Sequence, residues 1–244
     1  MALTASALLL AAVAAAGNLA GAVAVVRGER RGLVLIETCL AFGAGFMVAL
    51  VLAGVLPEVF AASPRSPTSG LLVLLGYLLV HVAQHVITPH FHFGEETHPV
   101  PRSAGYSAVV GLTLHAFFDG VAIATGFLVS TELGVLFFLA ILLHKLPEGV
   151  TVGSVMLASG MGSRRALQAG LVLGVATFLG AGLTEAVAPL ARHGLAVAAG
   201  VTLYVAASNL VPEVQASRSA RITTAFLGGA VALLLLGAAS GGMR

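Results

Sequence analysis

Charged residues are scarce in this chain of 244 residues. Only 9% of them are Asp, Glu, Lys or Arg, whereas 58% are hydrophobic. A soluble domain has roughly a quarter of its residues charged, so this composition excludes an ordinary soluble protein. Cysteine is almost absent too, and because Cys39 stands alone the chain has no intrachain disulfide. The formal net charge of +2 is spread over connecting loops without a basic stripe, which argues against a nucleic-acid partner.

What the chain has instead is a series of long apolar runs. A run of about 20 residues can cross roughly 30 Å of hydrocarbon as a helix. We therefore predict an all-α, multi-pass membrane protein with a single transmembrane domain over residues 1–244, surrounded by the lipid bilayer. The eight predicted transmembrane helices cover residues 3–26, 33–56, 70–89, 105–130, 133–158, 166–188, 195–212 and 222–240.

The arginines of the short loops predict the orientation of these spans. If the N-terminus lies outside, the inner loops hold most of the arginines, as the positive-inside rule requires. The inner set is Arg27, Arg30, Arg31, Arg102, Arg164, Arg165, Arg218 and Arg221, and the outer set is Arg65, Arg192 and Arg244. Because the number of spans is even, both termini are expected outside the cytoplasm. We expect the cell membrane (plasma or inner membrane) as the location.

A weak internal repeat links two of the spans. Residues 44–59 and 199–214 align without a gap at an offset of 155, and each stretch ends in Pro-Glu-Val. The two copies fall in spans two and seven, which cross the membrane in opposite directions. Inverted repeats of this kind are a feature of secondary transporters, whose binding sites lie near the bilayer midplane. We therefore predict a 3+2+3 arrangement, with spans four and five between two inverted three-helix repeats.

Two polar stretches interrupt spans four and five. HAFFDG places His115 four residues before Asp119, and HKLPEG places His144 four residues before Glu148. Residues four apart share one face of a helix, so each pair presents an imidazole and a carboxylate together. Ionisable residues inside a membrane are costly and usually mark ion or proton pathways. Two imidazoles and two carboxylates are a suitable ligand set for Zn²⁺ or a similar first-row divalent ion.

These stretches in consecutive spans resemble the fourth and fifth transmembrane helices of the ZIP (Zrt/Irt-like) metal transporters. The eight spans, the outward termini and a histidine-bearing cytoplasmic loop at 90–104 are similar to that family as well. The resemblance implies uptake of zinc or a related divalent metal into the cytoplasm. It also implies a metal site formed by His115, Asp119, His144 and Glu148.

Other positions refine what this resemblance implies. GFM at 45–47 is similar to a stretch of the second helix where a methionine can reach the metal, so Met47 is a weaker ligand candidate. Many family members have Asn where this chain has Ala116, and Glu where it has Thr177. Both departures remove ligands of a second, adjacent metal, so we expect a single-ion site.

Lys145 lies about 100° round the helix from its neighbouring ligand. We expect it to pair with a carboxylate or with lipid-facing water and to tune the site.

Further ionisable residues flank the predicted site toward both membrane surfaces. Carboxylates near the outer ends of spans can concentrate cations, and Glu58 and Glu185 are the entrance candidates. On the inner side, two histidines share one face at the end of span three, and the following loop adds more. Histidine-rich tracts bind metals weakly, which suits an exit path. The exit candidates are His81, His85, His90 and His92.

The leading hypothesis is a transporter that works by alternating access, with no resident cofactor and no catalytic residue. Zn²⁺, Fe²⁺, Mn²⁺ and Cd²⁺ all stay open as the transported ion, because mixed nitrogen and oxygen sites discriminate poorly. The alternative is an intramembrane metal-dependent hydrolase, although the HExxH signature is absent, since Lys145 and Glu148 occupy its second and fifth positions. A proton channel using the same side chains without metal is a third hypothesis. The sequence leaves open whether the chain forms a homodimer.

Overall fold

The structure, a computed structural model, describes residues 5–28, 33–62, 67–87, 101–217 and 219–240. These ranges form helices, with no strand among them. Eight helices are long and apolar enough to cross a membrane, as predicted. They are α1 (Ala5–Val26), α2 (Leu33–Ala49, continued by Leu50–Val55 and Leu56–Ala61), α3 (Thr68–Val82, continued by Ala83–Ile87), α4 (Arg102–Val129), α5 (Thr131–Ala158), α6 (Ser163–Ala186), α7 (Ala188–Tyr204, continued by Val205–Leu210 and Val211–Ala216) and α8 (Ala220–Ser240).

The ends of α5 show how the sequence separates one helix from the next. Lipid offers the backbone no hydrogen-bond partners, so each apolar run must pair its own N–H and C=O groups within a helix. Ser130 is extended between α4 and α5, and its Oγ accepts a hydrogen bond from the Leu133 N–H at 3.0 Å, which caps α5. After α5, Gly160 and Gly162 adopt positive φ angles of 68° and 75°, a conformation that other residues rarely take, and the chain turns into α6.

Helices α2 and α7 share an irregularity. Each contains a π-helical stretch, Leu50–Val55 in α2 and Val205–Leu210 in α7, and each stretch is followed closely by a proline. Pro57 and Pro212 have no N–H, so the regular hydrogen-bond ladder is interrupted at this point. The two stretches are related by the same offset of 155 residues as the sequence repeat. The repeat therefore extends to the backbone conformation, and π turns of this kind are frequent at functional sites.

Glycines reveal the same symmetry in the packing between helices. A side chain at Gly45 of α2 would collide with the Phe226 carbonyl of α8, and one at Gly200 of α7 would collide with the Val73 carbonyl of α3. Because Gly45 and Gly200 are equivalent in the sequence repeat, the contact of α2 with α8 is repeated as the contact of α7 with α3. Small residues let backbones approach closely in lipid. The contacts between α2 and α8 and between α3 and α7 are thus related in the same way as the two copies of the sequence repeat.

The two central helices repeat another close contact. A side chain at Gly120 of α4 would collide with the Thr177 carbonyl of α6, and one at Gly149 of α5 would collide with the Asn18 carbonyl of α1. Helices α1, α4, α5 and α6 pack closely on one another, while α2 contacts α5 and α7 contacts α4 from outside this group. Each of the two glycines directly follows a carboxylate of the polar stretches, so the close packing surrounds both carboxylates with protein.

Candidate metal centre

The four polar residues of the two stretches lie together in the middle of the protein. One ligand-type atom from each of His115, Asp119, His144 and Glu148 can be chosen so that all four atoms lie within 4.8 Å of one another. All four side chains are fully buried. The imidazole rings of the two histidines are 5.5 Å apart between centroids, one from α4 and the other from α5. The cluster has the composition and size of a site that could hold a metal ion.

The α4 half of the cluster is poorly satisfied. Nε2 of His115 lies 3.2 Å from Oδ2 of Asp119, one helical turn away, but without the geometry of a hydrogen bond. Neither nitrogen of His115 has a hydrogen-bond partner among the described residues, and neither does Oδ1 of Asp119. Buried polar atoms are nearly always paired in folded proteins. This half therefore presents nitrogen and oxygen atoms that lack partners of their own.

The α5 half is held more firmly. Nδ1 of His144 lies 3.0 Å from the Ala140 carbonyl oxygen, and Nε2 lies 3.3 Å from Oδ2 of Asp119. A neutral imidazole carries one proton, so it can donate to only one of these two oxygens. If Nδ1 donates to the carbonyl, Nε2 and the carboxylate face each other with no proton between them. In that protonation state Nε2 of His144 keeps a free lone pair, which could bind a metal ion.

Lys145 joins both halves through their carboxylates. Its Nζ lies 2.7 Å from Oδ2 of Asp119 and 2.5 Å from Oε2 of Glu148, and the side chain is fully buried. The expected pairing with a carboxylate is thus present with both carboxylates, and burial leaves no contact with lipid-facing water. Although Lys145 starts from another side of α5, its long flexible stem lets the ammonium reach the ligand face.

Asn18 of α1 is a further neighbour of the cluster, which was not predicted from the sequence. With its amide oriented so that both of its groups are satisfied, the NH₂ group donates to Oε2 of Glu148 at 3.3 Å and to the Lys145 carbonyl at 3.0 Å. The sequence held one signal, since Asn18 is the only amide side chain in the first apolar run. Thr177 of α6 packs its carbonyl against Gly120 as Asn18 packs its carbonyl against Gly149, but its hydroxyl donates to the Leu173 carbonyl of its own helix at 3.2 Å.

Comparison with known proteins identifies the family to which these two helices belong. A family model described as ZIP zinc transporter matches residues 101–239, which is more than half of the chain. This chain belongs to the ZIP zinc transporter family. The resemblance drawn from the sequences of spans four and five is therefore confirmed.

Individual ZIP relatives extend the match over much of the chain. It is 30% identical over 221 residues to the zinc transporter ZupT of Shigella dysenteriae serotype 1 (strain Sd197), covering 84% of this chain and 85% of that protein. It is 30% identical over 158 residues to the zinc transporter ZIP9 of Micropogonias undulatus, covering 59% of this chain and 51% of that protein. Identity to the zinc transporter ZIP13 of Pongo abelii is 28% over 196 residues, or 73% and 58% of the two chains. The match spans about half the length of the ZIP9 relatives.

The remaining ligand candidate of this ZIP chain is a methionine of α2. Met47 of α2 is fully buried and belongs to the main apolar core. Its role as a metal ligand stays a prediction. Ala116 is fully buried in a smaller apolar cluster with residues of α5 and α6.

The predicted entrance lies beside a cavity at the end of α2. The cavity measures about 250 Å³ and is lined by Gly54, Glu58, Ser130, Glu132 and Leu136, among others. Glu58 is exposed there, and the turn between α4 and α5 brings Glu132 to the same cavity. Glu132 was not predicted, because it is distant in sequence and its position depends on how α2 packs against α5. The second entrance candidate, Glu185, lies in the last turn of α6, and its side chain is outside the described part of the structure.

The predicted exit histidines are described only in part. The rings of His81 and His85 stack at the end of α3, with centroids 4.3 Å apart, and both side chains are exposed. Nδ1 of His85 lies 3.2 Å from the Tyr204 hydroxyl of α7, which fixes the ring against that helix. His90 and His92 lie outside the described residues, as does most of the predicted loop at 90–104. The exit role of all four histidines stays a prediction.

Proposed function

We propose that this chain transports Zn²⁺, or a related first-row divalent ion, across the membrane, and that His115, Asp119, His144 and Glu148 bind the ion on its way. The observation that carries the proposal is the group of buried polar atoms without partners at the cluster. Oδ1 of Asp119, Oε1 of Glu148 and both nitrogens of His115 have no hydrogen-bond partner among the described residues. Leaving such atoms buried and unpaired is costly, and a divalent cation would satisfy several of them at once.

The choice of zinc rests on chemistry and on the relatives. Imidazole and carboxylate together suit zinc, and the relatives are named as zinc transporters. The same ligands also accept Fe²⁺, Mn²⁺ and Cd²⁺, so these ions belong in a competition assay. The hydrolase alternative is set aside, because members of the ZIP family are transporters.

Alternating access is the transport mechanism that fits the packing best. The four proposed ligands are fully buried, so an ion held there is closed off from both sides of the membrane. Release requires the close-packed group α1, α4, α5 and α6 to change its position relative to the helices around it. Transporters built from inverted repeats make such a change by rocking one unit against another around a fixed site. The arginine bias places Glu58 on the outer side, so we infer transport from that side into the cytoplasm.

Uptake of radioactive zinc into proteoliposomes tests the proposal. The parent protein is compared with Asp119→Ala and Glu148→Ala, each of which removes one proposed ligand. We expect both variants to lose uptake to the level of empty liposomes, because a divalent ion in a dry site needs its anionic ligands. Glu37→Ala is the matched control, since Glu37 is an exposed carboxylate paired with Arg221 at 3.1 Å, away from the cluster. Its uptake should equal that of the parent.

Two results would contradict the proposal. Unaltered uptake in both Asp119→Ala and Glu148→Ala would remove the proposed site. A purified parent protein that conducts protons but binds no zinc would instead favour the proton channel. Detergent-purified samples of every variant should first be compared by size-exclusion chromatography, so that a loss of uptake is measured only on folded protein.

A further inference from the structure

We propose that the ammonium group of Lys145 is a built-in cation that shares the carboxylate pair with the transported ion. In this role Lys145 balances the carboxylates while the site is empty, limits the site to one divalent ion, and weakens the binding of that ion so that it can leave. This inference rests on the proposed function and adds to it a positioning residue that determines affinity and stoichiometry.

The first support is the way in which the oxygens of the two carboxylates are divided. Lys145 contacts Oδ2 of Asp119 and Oε2 of Glu148, at 2.7 and 2.5 Å. The other oxygen of each carboxylate, Oδ1 and Oε1, has no hydrogen-bond partner among the described residues. Each carboxylate therefore has one side engaged by the lysine and one side open. The open oxygens are available to an ion together with one nitrogen of His115, since a neutral imidazole has a single free lone pair.

The second support is the burial of the lysine. Its side chain is fully buried, and its two carboxylate partners come from its own helix (Glu148 of α5) and from the neighbouring helix (Asp119 of α4). A buried ammonium is tolerated only with anionic partners, and here it has two. Asn18 adds a donor to the oxygen of Glu148 that the lysine already holds, at 3.3 Å. All of these donors act on the same side of Glu148, which keeps its other oxygen free.

Charge explains why this arrangement suits a transporter. Two carboxylates and one ammonium leave the empty site with one net negative charge, and a divalent ion turns that into one net positive charge. Without the lysine the site would change from two negative charges to neutral. Like charges repel strongly in a medium of low dielectric constant, so the lysine lowers the affinity for the ion and opposes a second ion. A transport site must bind tightly enough to capture the ion and weakly enough to release it.

The test compares two lysine variants in the full-length purified protein. Zinc binding is measured by equilibrium dialysis with radioactive Zn²⁺ for the parent, Lys145→Met, Lys145→Arg and Asp119→Ala. We expect the parent to bind one ion that Asp119→Ala loses. Lys145→Met removes the charge but keeps the length, and we expect it to bind zinc at least about tenfold more tightly. Lys145→Arg keeps the charge and should stay within about threefold of the parent.

Transport kinetics distinguish this role of Lys145 from a merely structural one. In proteoliposomes, Lys145→Met should lower both KM and the maximal rate of zinc uptake, because an ion that is bound more tightly leaves more slowly. In the equilibrium dialysis experiment, Lys145→Glu replaces the cation with a third carboxylate and should raise the stoichiometry from one bound zinc ion per chain to two. Lys145→Arg should show the KM, the maximal rate and the stoichiometry of the parent.

Several outcomes would overturn the inference. Zinc affinity that is unchanged or weaker in folded Lys145→Met, while Asp119→Ala abolishes binding, removes the lysine proposal and leaves the proposed function intact. Zinc binding by the parent that does not depend on Asp119 removes both. If Lys145→Met does not fold, the double variant Lys145→Met/Glu148→Gln restores the charge of the empty site and should fold. If the double variant does not fold either, charge balance is not the role of the lysine.

Discussion

The two halves of the cluster share one design but differ in how firmly their atoms are held. In α4 and in α5, a histidine precedes a carboxylate by four residues, and a glycine packed against a neighbouring helix follows it. His144 is fixed by the Ala140 carbonyl, whereas neither nitrogen of His115 has a hydrogen-bond partner among the described residues. The His144 ring is thus oriented before any ion arrives, whereas the atoms that an ion would satisfy come from both halves: Oδ1 of Asp119 and the His115 ring in α4, and Oε1 of Glu148 in α5.

The largest effect is expected from removing the histidines, one from each half. His115→Ala and His144→Ala should each weaken zinc binding by about 100-fold, because each removes one proposed ligand. Their stability without metal should differ, since only His144→Ala loses a hydrogen bond to the backbone. We expect His144→Ala to be less stable than His115→Ala by about 1 kcal/mol. Equilibrium dialysis and thermal unfolding in detergent with a chelator measure the two effects. Equal stability of the variants would contradict the difference between the halves.

The glycines test the part of the design that the two halves share. Gly120→Ala and Gly149→Ala should each destabilise the protein by about 2 kcal/mol, because the added methyl group would collide with a carbonyl of α6 or α1. Gly182→Ala is the matched control within α6, where the nearest atom to the new methyl group lies 4.0 Å away. Thermal unfolding of the three variants measures these differences in stability. If Gly120→Ala or Gly149→Ala is as stable as Gly182→Ala, the two helices that meet at that glycine can move apart without a loss of stability.

The smallest effect is expected from the neighbours that differ between the halves. Asn18→Ala should weaken zinc binding by about tenfold, because outer-shell partners of a metal ligand contribute on this scale. Thr177→Ala, at the equivalent place beside α4, should leave the affinity unchanged, since the Thr177 hydroxyl bonds to its own helix. Equilibrium dialysis on both variants provides the comparison. The interpretation of Asn18 is wrong if the two variants bind zinc equally well.

Much of the fold and the core of the site could be predicted from sequence patterns. Apolar runs gave eight spans, and the spacing in HAFFDG and HKLPEG placed each carboxylate one turn from its histidine. The position of Lys145 in the sequence suggested a different face of α5, but a long side chain can curl back to the ligands. Asn18 and Glu132 could not be assigned, because their neighbours come from helices distant in the chain. The π stretches of α2 and α7 also have no simple sequence signal apart from the prolines that follow them.

The sequence by itself determined the membrane architecture and the pairing of polar residues within each helix. Both follow from local rules, the length of an apolar run and the period of 3.6 residues per turn, which hold wherever the helix lies. Only the tertiary structure decided which oxygen of Asp119 and Glu148 faces Lys145 and which stays open. That division depends on how closely α4 and α5 approach each other and their neighbours, which the glycine contacts set across the whole chain.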